Sequence, residues 1–155
     1  MRRALIGLAA VAWLAMTATV PAATGRVVKV LPEFLDLKGL NSLSPSLYER
    51  DGYQAVLRQH PEKRSGVRFY IQWKTKGGVW DALKLRLELR GIAQGGLPRR
   101  LVVDEPVETT GRRLSHWTTI TLDGERYKEF GEITGWRVTL WEGEQVIGQQ
   151  QSFLW

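Results

Sequence analysis

Two stretches of strictly alternating residues constrain the fold of this chain more than any other feature. In Val67–Lys74 the odd positions are apolar and the even positions mostly polar, and Leu83–Arg90 repeats the pattern with leucine at every second position. A period of two places one set of side chains on each face of a strand, so one face packs in a core and the other meets water. We therefore predict that the two stretches pair as an antiparallel hairpin. The side chains expected to be buried are Phe69, Ile71, Leu85 and Leu87, and those expected to be exposed are Arg68, Lys84 and Arg86.

Shorter patterns add further strands and one helix. Strands are predicted at Val27–Leu31 (stopped by Pro32), Leu101–Val103 and Trp117–Leu122, and as a late hairpin at Trp136–Trp141 and Gln145–Phe153. Ser46 and Glu49 have the spacing of a capping box, and Pro61 ends the helix that follows. Short strands separated by turn signals predict a mainly all-β fold, an antiparallel two-sheet sandwich with one short amphipathic helix.

The stretch Leu122–Tyr127 resembles the corner that precedes the penultimate strand of immunoglobulin-like domains, because Asp123 stands four residues before Tyr127. The resemblance implies an immunoglobulin-like sandwich in which the Tyr127 ring is buried and its hydroxyl bonds to an upstream backbone group. It departs from the family in that no cysteine follows Tyr127. The alternative is a helical turn over Asp123–Phe130. In general character the chain also resembles small exported bacterial proteins without an assigned activity.

The N-terminus has the layout of a secretory signal peptide. Met1-Arg2-Arg3 is basic, Ala4–Met16 is apolar, and mostly small residues follow. We predict a cleaved signal over residues 1–22, with cleavage after Ala18 as the alternative site. A permanent membrane anchor would need about 20 apolar residues, and the run Ala4–Met16 is shorter than that. Residues 23–155 would then form a single domain in the periplasm or outside the cell, with no stable membrane insertion.

Composition excludes several classes of function. The net charge is +6, of which the signal contributes Arg2 and Arg3, and the remaining basic residues are spread along the chain. This modest surplus does not indicate a nucleic-acid partner. The chain has no cysteine, which removes thiol chemistry, cysteine-ligated metals and disulfides.

Candidate catalytic residues lack partners at informative spacing. His60 and His116 are isolated, and the carboxylates cluster only at strand ends, as Asp104, Glu105 and Glu108 and as Glu142 and Glu144. A pair of carboxylates across a cleft could hydrolyse glycosides, but no such pair can be identified. We therefore predict no catalytic residue, cofactor or metal, and a protein that is not an enzyme.

Three tryptophans are candidates for ligand binding. Trp117 and Trp141 fall out of phase with the apolar residues of their strands, and Trp80 lies in a glycine-rich turn. Exposed tryptophans stack on sugars or anchor a protein partner, although they could instead cover the ends of the sheets. The sequence thus predicts an exported, non-catalytic binding or assembly module whose partner is another exported protein. The alternatives are a carbohydrate-binding module that takes a polysaccharide and, third, a small hydrolase.

Overall fold

The computed structural model describes residues 24–76, 82–109 and 115–155. The predicted signal peptide, residues 1–22, and the candidate residue Trp80 lie outside these ranges. The strands are β1 (Thr24–Asp36), β2 (Arg64–Lys76), β3 (Leu83–Ile92), β4 (Pro98–Pro106), β5 (His116–Asp123), β6 (Glu132–Glu142) and β7 (Gln145–Gln151). The helices are α1 (Leu47–Gln59), followed by a short 3₁₀ turn at Pro61–Lys63, and α2 (Gly124–Phe130).

The strands form two antiparallel sheets that share one core. The three-stranded sheet has the order β1-β2-β5, and the four-stranded sheet has the order β4-β3-β6-β7. The predicted all-β two-sheet sandwich is confirmed. Its core combines apolar side chains from both sheets: Val27, Val67, Phe69, Ile71, Trp73, Ile120 and Leu122 from the first, and Leu83, Leu85, Leu87, Leu89, Val138 and Leu140 from the second.

The predicted pairing of the two alternating stretches is wrong. β2 pairs with β1 and β5, whereas β3 pairs with β4 and β6 in the other sheet. Alternation identifies the apolar face of a strand but not its neighbour, and here the two apolar faces meet across the core. The predicted buried side chains are buried, and Arg68, Lys84 and Arg86, predicted to be exposed, are partly exposed.

β1 continues beyond the proline that was expected to stop it. Pro32 lies opposite Phe69 in the β1–β2 ladder. Because β1 is an outer strand of its sheet, one side of it has no ladder to complete and the missing N–H of a proline is tolerated there. The first strand therefore extends to Asp36.

Helix α1 is confirmed, and a buried glutamine fastens it to β1. The Gln54 side chain accepts a hydrogen bond from the Phe34 amide at 2.8 Å and donates to the carbonyls of Phe34 and Asn41. The predicted capping box is not formed, because the Ser46 side chain makes no capping hydrogen bond although Ser46 is the N-cap residue. Of the helices in the described ranges, none combines the length and hydrophobicity that crossing a bilayer requires.

Helix α2 carries the chain from one sheet to the other and corresponds to the helical alternative for this segment. Phe130 supplies its buried ring, whereas Tyr127 is only partly buried. Within the described ranges, the Tyr127 hydroxyl makes no hydrogen bond to an upstream backbone group. Burial raises the pKa of Tyr127, and the neighbouring Arg64 guanidinium offsets part of that rise. The immunoglobulin-like resemblance stays a prediction.

The late hairpin is confirmed, but its end differs from the prediction. β6 and β7 pair antiparallel, and β7 ends at Gln151. Phe153, which the prediction included in the last strand, lies beyond its end and is fully exposed. Trp155 instead packs against two arginines on the outer face of the four-stranded sheet.

Candidate functional site

The outer face of the three-stranded sheet carries a pocket that combines an aromatic ring with polar groups. The register of this sheet places Leu31 beside Tyr70 and Trp117 beside Gln72, all on the side away from the core. The pocket has a volume of about 320 Å³. We call it the Trp117 pocket, and its lining residues are Leu31, Glu33, Asn41, Arg50, Tyr70 and Trp117.

Trp117 is held outward by the residue before it. The His116 ring stacks on the buried Trp73 ring, with the ring centres 4.6 Å apart and the planes 24° apart. Since successive side chains of a strand point to opposite faces, Trp117 faces solvent, and 54% of it is exposed. An indole this large and this accessible is available for contact with a ligand.

Beside the indole, a buried carboxylate organises the polar groups. Glu33 is 7% exposed. The Asn41 side-chain amide donates to its Oε2 at 2.5 Å, and the Arg50 Nε lies 3.4 Å from its Oε1. A buried charge is costly unless it is paired and hydrogen-bonded, so these partners keep the Glu33 carboxylate in place. The pocket is therefore preformed.

Hydrogen bonding extends from Asn41 across the sheet. The Asn41 amide lies 3.1 Å from the Tyr70 hydroxyl, which in turn lies 3.4 Å from the Arg68 guanidinium. The Arg50 Nε is buried, and within the described part of the chain it contacts Glu33 as an ion pair without forming a hydrogen bond. The Asn41 side-chain oxygen, the Tyr70 hydroxyl and the Arg50 guanidinium thus lie around Trp117. The oxygen can accept a hydrogen bond from a ligand, and the hydroxyl can donate one.

Trp141 lies on the other side of the molecule, so it does not share a platform with Trp117. On the outer face of the four-stranded sheet, the Arg86 guanidinium sits 5.1 Å and the Lys84 ammonium 5.6 Å from the Trp141 ring centre. Trp155 is covered likewise, by Arg90 at 4.2 Å and Arg137 at 4.8 Å. Cation–π contacts already occupy these rings. Of the predicted tryptophans in the described ranges, Trp117 alone adjoins the polar pocket.

The carboxylate beside Trp141 is engaged by the same cations. Arg86 donates two hydrogen bonds to Asp104, at 2.7 and 2.9 Å, and Lys84 lies 3.2 Å away. The Arg86 hydrogen bonds are the main cause that lowers the pKa of Asp104 to about 2. Asp104 is therefore an ion-pair partner at neutral pH. The part of the chain that the structure describes contains no group of three acidic or histidine side chains placed to hold a metal.

Sequence reasoning found Trp117 but missed the residues that build the pocket around it. Tyr70 could have been assigned to this face from the alternation of β2. Glu33, Asn41 and Arg50 come from β1, from the connection that follows it and from α1, and no local pattern marks them as neighbours.

The fold and this surface together define a class of protein: an antiparallel two-sheet sandwich with an aromatic and polar pocket on one outer face. Comparison with protein-family models, with curated proteins and with solved structures finds no match for the chain.

Proposed function

We propose that this protein is a non-catalytic binding module that acts after export, and that the Trp117 pocket binds its ligand. The observation that carries the proposal is the exposed Trp117 ring beside the preformed network of Glu33, Asn41 and Arg50. A concave site with an apolar surface and a few fixed polar groups is the usual form of a ligand-binding site.

A carbohydrate fits this combination of groups best. A sugar ring presents an apolar C–H face that packs on an indole, and hydroxyl groups at its edge that both donate and accept hydrogen bonds. Trp117 supplies the apolar surface, and Asn41 and Tyr70 supply groups that donate and accept.

Binding without hydrolysis is supported by the carboxylates of the pocket. Glycoside hydrolases in most families use two carboxyl groups that flank the scissile bond. Among the lining residues that the structure describes, Glu33 is the one carboxylate, and Asn41 and Arg50 already engage it.

The carbohydrate proposal is tested by titrating the protein with soluble glucose and N-acetylglucosamine oligomers while monitoring tryptophan fluorescence. We expect saturable quenching by one class of oligomer and at least about tenfold weaker binding by Trp117→Ala, which corresponds to about 1.4 kcal/mol. Trp141→Ala is the matched control, because that ring is already covered, and it should change the affinity less than about twofold. Equal weakening by both variants, or no saturable binding of either class, would contradict the proposal.

A protein partner is the second candidate, and exposed apolar residues near α1 favour it. Leu43, Leu47 and Tyr48 are each more than half exposed. A partner from the same compartment should lose affinity in Leu43→Ser/Leu47→Ser and bind Trp117→Ala normally. A carbohydrate ligand gives the reverse result, so the two variants separate the candidates.

Export is a separate part of the proposal and rests on the basic, apolar and small-residue segments of residues 1–22. Intact mass measurement of the protein purified from its own host should find a chain that begins near Ala23. Recovery of the full chain with Met1 from the cytoplasm would show that export is wrong, without affecting the binding proposal.

A further inference from the structure

An apolar pocket lies at the seam between the two sheets, where β1 faces the first residues of β6. The β6–β7 ladder begins only at the pair Arg137 and Gln151, and β1 is an outer strand of its own sheet. The first residues of β6 therefore border the seam without a β7 partner. The pocket there has a volume of about 230 Å³. We call it the seam pocket, and its apolar lining residues are Pro32, Phe34, Val67, Phe69, Ile133 and Trp136.

The seam pocket has the size and the chemistry of a site for one aromatic ring. Val67 and Phe69 belong to the buried core, whereas Phe34, Ile133 and Trp136 are only partly buried, so the apolar surface continues from the core towards solvent. A cavity of about 150 Å³ with apolar walls binds benzene in another protein, and the seam pocket is larger than that. Its described lining residues are all uncharged, so filling it desolvates no charge among them.

The turn beside the seam pocket presents two large apolar side chains to solvent. Ser152 lines the pocket, and the next two residues are Phe153, which is fully exposed, and Leu154, which is 73% exposed. The turn is held in place by its backbone: the Ser152 amide donates to the Trp136 carbonyl at 2.9 Å, and the Trp155 amide donates to the Ser152 carbonyl at 3.2 Å. The Ser152 hydroxyl also accepts a hydrogen bond from the Trp136 amide at 3.0 Å. The exposed Phe153 ring therefore does not fill the pocket of its own copy, and exposed apolar side chains on a fixed turn are typical of an interaction surface.

We propose that two copies of this chain associate by reciprocal insertion, in which the Phe153 ring of each copy occupies the seam pocket of the other. The ring and the pocket adjoin at Ser152, so both lie on one patch of the surface. A two-fold interface requires a patch that is complementary to itself, and an exposed ring beside a pocket of matching size meets that requirement. Because the turn is already fixed, little conformational freedom is lost when the copies meet. The seam pocket shares no residue with the Trp117 pocket, so this inference does not rest on the carbohydrate proposal.

Sedimentation equilibrium over a range of protein concentrations tests the association. We expect the wild type to shift from monomer to dimer as its concentration rises. Phe153→Ser should dimerise at least about a hundredfold more weakly, because each dimer buries two of these rings and each contributes about tenfold. The matched control is Leu47→Ser, which removes a side chain that is 66% exposed on α1 and should change dimerisation by less than about twofold. Urea unfolding checks that both variants are folded.

A second variant blocks the pocket instead of removing the ring. Thr134 lines the pocket and is exposed, so Thr134→Arg places a long charged side chain at its mouth. We expect this variant to dimerise as weakly as Phe153→Ser. An equimolar mixture of the two restores one contact, because the ring of the Thr134→Arg copy meets the unblocked pocket of the Phe153→Ser copy. The mixed dimer should therefore form about tenfold more tightly than the dimer of either variant alone.

Three results would overturn reciprocal insertion. The first is a wild type that stays monomeric over the whole concentration range, which would leave the seam pocket to a small apolar ligand or to a different protein. The second is equal weakening of dimerisation by Phe153→Ser and Leu47→Ser, since general surface hydrophobicity would then explain the association. The third is a mixture of Phe153→Ser and Thr134→Arg that associates no more tightly than the separate variants.

Discussion

Replacing Leu87 with alanine should lower the free energy of unfolding by about 2–5 kcal/mol. Leu87 is fully buried at the centre of β3, paired with Val103 on one side and Val138 on the other. Truncation removes the transfer free energy of the lost methyl groups and leaves a cavity between two sheets that are tied to their own hydrogen-bond ladders. Such a site relaxes only partly, so the lost transfer free energy and the cavity both lower the stability of the variant.

Urea unfolding of the wild type and Leu87→Ala measures this difference. Val102→Ala is the control, because Val102 is on the neighbouring strand and is 54% exposed on the opposite face. Its effect should lie within about 0.5 kcal/mol of zero, as for most surface substitutions. Equal stability of the two variants would show that the four-stranded sheet does not pack its leucine face as described.

The sequence predicted the faces of the strands better than it predicted their neighbours. Alternation identifies Leu85 and Leu87 as buried because the side-chain period of a strand is a local property. It does not identify the partner, since any strand with a complementary apolar face satisfies the same pattern. β2 and β3 therefore looked like one hairpin although they belong to different sheets.

The candidate site shows the same limit in a different form. The phase of β5 correctly indicates that Trp117 points away from the core, and the phase of β6 indicates the same for Trp141. What separates them is what covers each ring: Trp141 lies under Arg86 and Lys84, whereas Trp117 borders an open pocket. That difference depends on residues from other strands, which only the tertiary structure brings together.

Arg64 is the residue whose importance the sequence concealed most completely. It stands at the beginning of β2 and looks like an ordinary surface arginine beside a turn. In the structure its side chain is 4% exposed. Its Nε donates to the Leu57 carbonyl and a terminal nitrogen donates to the Arg58 carbonyl, both at 2.5 Å. Its guanidinium carbon also lies 4.0 Å from the centre of the Phe34 ring, on β1.

These contacts place a positive charge at the C-terminal end of α1. The last carbonyl groups of a helix lack partners within the helix, and the helix dipole makes that end partially negative. The buried Arg64 guanidinium donates hydrogen bonds to these carbonyl groups and places a positive charge at the negative end of the dipole. It also joins α1 to β1 and β2. Glu132 approaches it at 3.4 Å but is mostly exposed, so the carbonyl contacts dominate.

Arg64→Met should therefore lower the free energy of unfolding by about 3–6 kcal/mol. The estimate follows from two hydrogen bonds to a charged group, at about 1.5–3 kcal/mol each, in a buried position. Methionine keeps most of the apolar stem, so the loss reports the guanidinium rather than a large cavity. Urea unfolding gives the magnitude, and amide hydrogen exchange should show α1 losing protection before the sheets do.

Arg58→Met is the control at the same helix end. Arg58 is exposed and contributes to the interaction with the helix dipole but not to the buried contacts, so its loss should cost less than about 1 kcal/mol. Arg64→Lys should fall between the two, because an ammonium keeps the charge but cannot reproduce the planar fork that reaches both carbonyls. If Arg64→Met is no more destabilising than Arg58→Met, the charge at this position is not what holds α1 against the sandwich.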